Sequence, residues 1–241
     1  MVELASPKAW KFIFEIRYPA SARLFDKRGF LMDQFQSEPF TEWRVQRNRV
    51  DLYNKENSIS VFAAFRNTGG VAEDPPTYSY FGDHLQRWLR LIVQELGISR
   101  IQRIGFRTFY MMPVSYSSFQ DLFEVFMRSY LRVDDRPWGS TLASPADVGM
   151  VLDFNLDRCK LHMVTGPMEQ KQACDYFNCD TVKDKLPILS VFADLDYFAE
   201  NPELGEDRIV QMCMRFAKEA RDKTEAHVRD FLQMFSSKGG E

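Results

Sequence analysis

Arg100–Met112, RIQRIGFRTFYMM, decides how the rest of the chain is read. Side chains alternate between the two faces of a strand, so Ile104, Phe106, Tyr110 and Met112 share one face. Arg103, Gly105 and Arg107 lie on the other. The first face is apolar and needs a cover of helices. The second carries two guanidinium groups about 13 Å apart, at roughly 3.3 Å per residue, around a residue with no side chain. Two readings follow. Either Arg103, Gly105 and Arg107 form a groove for an anion or a partner, or the arginines meet the protein's own carboxylates.

The same alternation recurs outward from this stretch. Lys11–Tyr18 sets Phe12, Phe14, Ile16 and Tyr18 against Lys11, Glu15 and Arg17. DVGMVLDFNLDRCKLHMVTG (147–166) reads as a hairpin turning near Asp157 and Arg158, with Asp153, Asn155 and Asp157 on its polar face. LPILSVFADLDYFAE (186–200) sets Leu189, Val191, Ala193, Leu195 and Tyr197 against Asp194 and Asp196. Acid-bearing and arginine-bearing strands placed side by side bring forks to carboxylates, so an internal ion-pair lattice is the favoured reading. The groove is the minority one.

Helical spacing marks Tyr80–Leu96, with Phe81, Leu85, Trp88, Leu89, Ile92 and Leu96 in one stripe and Gly97 as its stop. Ser118 with Asp121 opens a second helix. Asp207–Phe235 is a long one, with Ile209, Cys213, Phe216, Ala220, Thr224, His227 and Phe231 at three-four spacing. Shorter helices are expected near 30–35 and 168–177. WRVQRNRVDLYNKENSISVFAAFRN (43–67) reads as a hairpin turning at 54–58, and TGGVAEDPPTYS (68–79) as a loop. The polar stretch 132–148 is the candidate boundary between halves, 1–137 and 138–241, that share one element order, in a chain that is either one compact domain or two such halves. Hairpins join the strands, and no glycine-rich phosphate loop links a strand to a helix. The fold class is therefore α+β: a mostly antiparallel sheet with packed helices and a long C-terminal helix.

Hydrophobic residues make up 45% of the 241 and charged ones 27%, which excludes a disordered chain. Residues 1–137 hold 19 Lys and Arg against 16 Asp and Glu, and 15 of those cations are arginine; residues 138–241 hold 12 against 18. The arginine bias favours organised pairing or anion binding but falls short of a nucleic-acid protein. No apolar run reaches membrane-spanning length and the start lacks a signal-peptide layout, so the expected location is cytoplasmic. There the four cysteines stay reduced.

Several chemistries are weighed on their residues. Asp194 and Asp196, two apart on one strand, suit one Mg²⁺, with Asp153 as a third ligand; that is a metal-dependent nucleotide or phosphodiester enzyme. ADLDYF (193–198) resembles the strand motif of Y-family DNA polymerases, and ADLDYFAEN the start of a diguanylate-cyclase domain. Only about 40 residues follow, too few for the remaining catalytic groups of either. Cys159, His162, Cys174 and Cys179 are zinc-ligand types, yet residues three apart on a strand face opposite ways. His84, His162 and His227 have no nucleophile motif beside them. Trp43, Arg44, Arg47 and Arg49, with Tyr53, offer stacking and charge for single-stranded nucleic acid. No metal site or cofactor is expected.

FEIRY (14–18), RIQRIGFRTFY (100–110), KLHMVTGP (160–167), FADLDYF (192–198) and the long final helix together resemble a sporadically distributed family of bacterial proteins. That family has roughly 250 residues and no established function, and the likeness covers roughly residues 8–235. It implies a protein of prokaryotic accessory genomes, suited to a mobile-element or anti-phage defence system, and supplies no catalytic residues. The leading expectation is a non-enzymatic adaptor that binds a protein partner, or a second copy, through Arg103–Arg107 or helix 207–235. The metal-dependent enzyme and the nucleic-acid binder are its alternatives.

Overall fold

β1 (Lys8–Arg17) and β6 (Arg103–Pro113) pair antiparallel in the middle of one nine-stranded sheet. The structure, a computed structural model, describes residues 7–35, 40–54, 56, 58–131, 146–178, 183–203 and 209–238. From β1 the chain passes through α1 (Arg23–Phe35) to β2 (Glu42–Val45), β3 (Arg49–Asn54), β4 (Ile59–Ala64) and β5 (Asn67–Glu73). These four strands form a meander whose last member returns to pair with β1, and α2 (Tyr78–Leu96) follows. From β6 the plan restarts through α3 (Phe119–Phe126), β7 (Met150–Asn155) and β8 (Lys160–Glu169). Then come α4 (Gln170–Phe177), β9 (Leu189–Glu200), which returns to pair with β6, and α5 (Ile209–Lys238). The strand order is β2-β3-β4-β5-β1-β6-β9-β8-β7, antiparallel throughout.

The fold is therefore α+β with a long C-terminal helix, as the strand patterns predict. The plan restarts between α2 and β6, ahead of the polar stretch 132–148, most of which lies outside the described residues. Among the described residues, no helix is long and apolar enough to cross a membrane.

Even-numbered residues of β1 and β6 (Phe12, Phe14, Ile16; Ile104, Phe106, Tyr110, Met112) enter the main core. That core joins them to the stripes of α1, α2, α3 and α5. Gly97 ends α2 as the sequence predicts, with a positive φ of 63°, and Thr77 caps its start by accepting from the Tyr80 amide. Trp88 is fully buried, its indole N–H donating to the Phe62 carbonyl and to Thr68 Oγ1, both at 2.9 Å. On α5, Cys213, Ala217, Ala220, Thr224, Val228 and Phe231 are buried against the protein's own elements. Phe216 packs on Tyr197, and His227 meets Phe154 edge-on. The stripe expected to dock a partner is thus taken up by the fold as far as Phe231.

The glycine pair in TGGVAEDPPTYS does not make a loop. Gly69 and Gly70 sit inside β5, between β4 and β1. A Cβ on Gly69 would fall 1.9 Å from the Phe14 carbonyl oxygen, and one on Gly70 would meet the Phe81 ring at 3.2 Å. Close backbone and helix approach, not turning, requires glycine here. The expected hairpin over 43–67 likewise gains a strand, because β2 folds back on β3 through Gln46–Asn48.

His84 lies between the rings of Tyr80 and Phe40, and burial lowers its pKa below the ordinary 6.5, as burial also does for His227. The unfolded chain takes up these protons at a higher pH than the folded one. Stability is then complete above the ordinary histidine value and declines as pH falls through it toward the folded pKa values. Urea midpoints measured on both sides of pH 6.5 are expected to drop on the acid side. The double substitution His84→Gln, His227→Gln is expected to flatten that drop. An unchanged slope assigns it to other groups.

Candidate interaction face

The face of the sheet opposite the main core carries α4 and a small second cluster of Trp10, Phe109, Met111, Met168, Ala173, Phe177, Leu186 and Phe192. Lys11 pins α4 there. Its ammonium, in a residue only 7% exposed, donates to the carbonyls of Phe177 (2.8 Å) and Asn178 (2.9 Å) and to Glu73 Oε1 (2.9 Å). Those carbonyls are the C-terminal end of α4, where a cation is favoured.

Beyond α4 the face is polar, and strand register builds it in rows. Arg107 stands directly across from Asp196, Asp196 from His162, and His162 from Asp153. The next row runs Glu15, Gly105, Phe198, Lys160. The ion pairs run diagonally to these rows. Arg107 reaches past Asp196 to Asp194, giving Nε to Oδ1 at 2.7 Å and Nη2 to Oδ2 at 2.5 Å. Arg103 stands opposite Glu200 but lies along its own strand to reach Asp196 Oδ2 at 2.7 Å.

Gly105 makes that reach feasible. A Cβ there would sit 2.8 Å from Arg103 Nη1, so the guanidinium occupies the space a side chain would fill. The same guanidinium stacks on Phe198, 4.5 Å from the ring centre. The gap over Gly105 that suggested a groove thus holds Arg103 itself. Arginine meets carboxylate on this face, as the favoured sequence reading expects.

Asp194 is 2% exposed and gains a further donor, the Tyr176 hydroxyl of α4, at 3.1 Å. Its hydrogen bond to Arg107 pushes the arginine pKa up, and burial raises that of Tyr176, so the phenol stays a neutral donor. Burial also raises Asp196, against the lowering effect of Arg103. Around them, Arg17 meets Glu15 at 2.7 Å, Lys160 meets Glu200 at 3.2 Å and His162 Nδ1 meets Asp153 Oδ1 at 2.7 Å. The face remains open to solvent at its working groups: Arg107 is 43% and His162 42% exposed.

Asp153, Asp194 and Asp196 share this face, but two strand spacings of about 4.8 Å separate Asp153 from the other pair. Each accepts from its own donor, and among the described residues no group of three acidic, histidine or cysteine side chains is placed to hold a metal. Cys159 and His162 diverge: Cys159 packs against the main core and His162 stands in the polar rows. Cys174 borders the second cluster, and Cys179 lies outside the described residues.

Trp43, Arg44, Arg47 and Arg49 do not form one platform. Trp43 aligns with Leu52, which faces the main core, and Arg44 with Asp51, which faces the other way. Arg49 is committed to Asp51 at 2.7 Å and stacks over Phe62 at 4.0 Å, while Arg47 is in the β2–β3 turn.

Tyr176 and Phe198 are the members of this face that the sequence reading missed, and Lys11, which the alternation places on it, makes a contact with α4 that the sequence does not show. Phe198 was visible as the next even-numbered position after Asp194 and Asp196. Nothing local marks Tyr176, because α4 brings it to the sheet only in three dimensions. No protein-family model matches the chain, and no curated protein matches it.

Proposed function

We propose that this protein is a non-enzymatic adaptor that binds a protein partner through the polar rows of β1, β6, β9, β8 and β7. Its setting is the prokaryotic accessory system, mobile-element or anti-phage, that the family resemblance implies. The observation that carries the reading is that the charges on this solvent-open face are paired one to one: Arg103 with Asp196, Arg107 with Asp194, Arg17 with Glu15 and Lys160 with Glu200. Such a face has no field of one sign to attract a phosphate backbone. It does present fixed donors, acceptors and an aromatic ring in a set register, the means by which protein surfaces select one another. The commitment of the α5 stripe to the protein's own core favours the sheet face over that helix as the docking surface.

A photo-crosslinking residue placed at Lys160 or Asp153, both exposed, is expected to give one discrete protein adduct in the native host. The same residue at exposed Arg90 on α2 is expected to give none. Adducts to nucleic acid from Trp43 or Arg44 alone favour the hairpin reading instead. A Mg²⁺-dependent phosphodiesterase activity lost in Asp194→Asn overturns the adaptor.

A further inference from the structure

Beside α4 lies an open cavity of about 700 Å³, within the range of small-molecule sites and bordering the ion-paired rows at Tyr176. Its floor is the sheet: Pro167 and Met168 of β8 and Phe192 of β9. One wall is α4, presenting Asp175 and Tyr176; the other is the chain entering β7, with Asp147. Gly166 lets that chain cross closely, a Cβ there falling 2.6 Å from the Val148 carbonyl oxygen.

The lining is unbalanced in charge. Among the described residues it includes two carboxylates, Asp147 and Asp175, and no basic residue. Among the described residues neither carboxylate pairs with a cation, and Asp147 only accepts from the Val148 amide at 2.7 Å. Elsewhere on this side of the sheet acids meet bases, so the uncompensated pair stands out. Tyr176 adds an aromatic ring that is 45% exposed, anchored through its hydroxyl to Asp194 and packed 5.6 Å from the ring of Phe192. Two carboxylates, two aromatic rings and an apolar floor are the parts that recognise an alkylated or stem-borne ammonium.

We infer that this cavity binds an organic cation: an ammonium group carried on an apolar stem. The ammonium sits between Asp147 and Asp175 against the Tyr176 ring, and the stem lies on Met168, Pro167 and Phe192. A free alkylammonium and a lysine side chain of a peptide share this chemistry.

Calorimetric titration with n-hexyltrimethylammonium, a capped lysine tripeptide, its glutamine analogue and n-hexanol tests the inference. Saturable binding of an ammonium probe is expected. It should weaken by about tenfold or more in Asp147→Asn, Asp175→Asn, both exposed positions whose replacement leaves the core intact, and should weaken as salt is raised. Tyr176→Leu should weaken the ammonium more than hexanol. Tighter binding of the free ammonium identifies a small-molecule site, and tighter binding of the lysine peptide identifies a peptide side chain. Equal binding of hexanol, retention in the double asparagine variant, or no saturable binding of either cation overturns it.

Discussion

Arg107→Ala is expected to lower the unfolding free energy by roughly 2–4 kcal/mol, although its side chain is 43% exposed. The loss arises at Asp194, not at the arginine. Asp194 is 2% exposed, so its charge cannot regain water when the guanidinium is removed. Breaking a buried pair at one end typically costs about 3–5 kcal/mol. Here the figure is reduced because water reaches the outer side of Arg107 and screens the attraction, and because Tyr176 still donates to the carboxylate. Replacing both members, Arg107→Met with Asp194→Leu, is expected to recover stability to within about 1 kcal/mol of the natural protein, since the orphaned charge is gone. Phe109 and Val164 stand across from position 194, so an aliphatic side chain has apolar neighbours there. Chemical denaturation of the two variants checks both figures. A single variant as stable as the double one refutes the argument.

Lys11→Met is expected to cost a similar amount, roughly 2–4 kcal/mol, and to act on one element first. The substitution keeps the length of the stem but leaves the Phe177 and Asn178 carbonyls without their ammonium, and removes a cation from the end of α4. α4 has only eight residues and cannot hold itself together. Hydrogen exchange at residues 173–177 should accelerate before exchange in β1 or β6 does. Because Tyr176 travels with α4, Asp194 should also lose its phenol donor, which couples this change to the Arg107 pair. Uniform acceleration across the sheet would show instead that Lys11 supports the whole fold and not α4 in particular.

The sequence reading worked best where local chemistry decides. Two-residue alternation identified the faces of β1, β6 and β9 because both faces have strict jobs, and Ser118 and Gly97 bounded their helices by backbone geometry alone. It failed at Gly69 and Gly70, where glycine answers to atoms of Phe14 and Phe81 far along the chain. For the polar face, composition was legible and connectivity was not. Arg103 and Arg107 were visibly matched to Asp194 and Asp196, but the diagonal pairing depends on register, and register follows from how β9 meets β6. Tyr176 reaches the face, and Lys11 finds its carbonyl partners, only because α4 folds back over the sheet.

The position of β6 has a consequence for how the molecule assembles. Its two neighbours come from opposite ends of the chain: Phe14 pairs with Phe106 on one side, and Arg103 with Glu200 on the other. The meanders β2–β5 and β7–β8 close through short turns, so their pairings form quickly. β6 has no nearby partner and must wait for loops of roughly 90 residues to close on both flanks, a slow and entropically expensive search. Until then it exposes two unpaired edges and a largely apolar face. The segment that organises the finished sheet is therefore also its chief hazard during synthesis, when an incomplete chain offers β6 to other copies before β9 has left the ribosome.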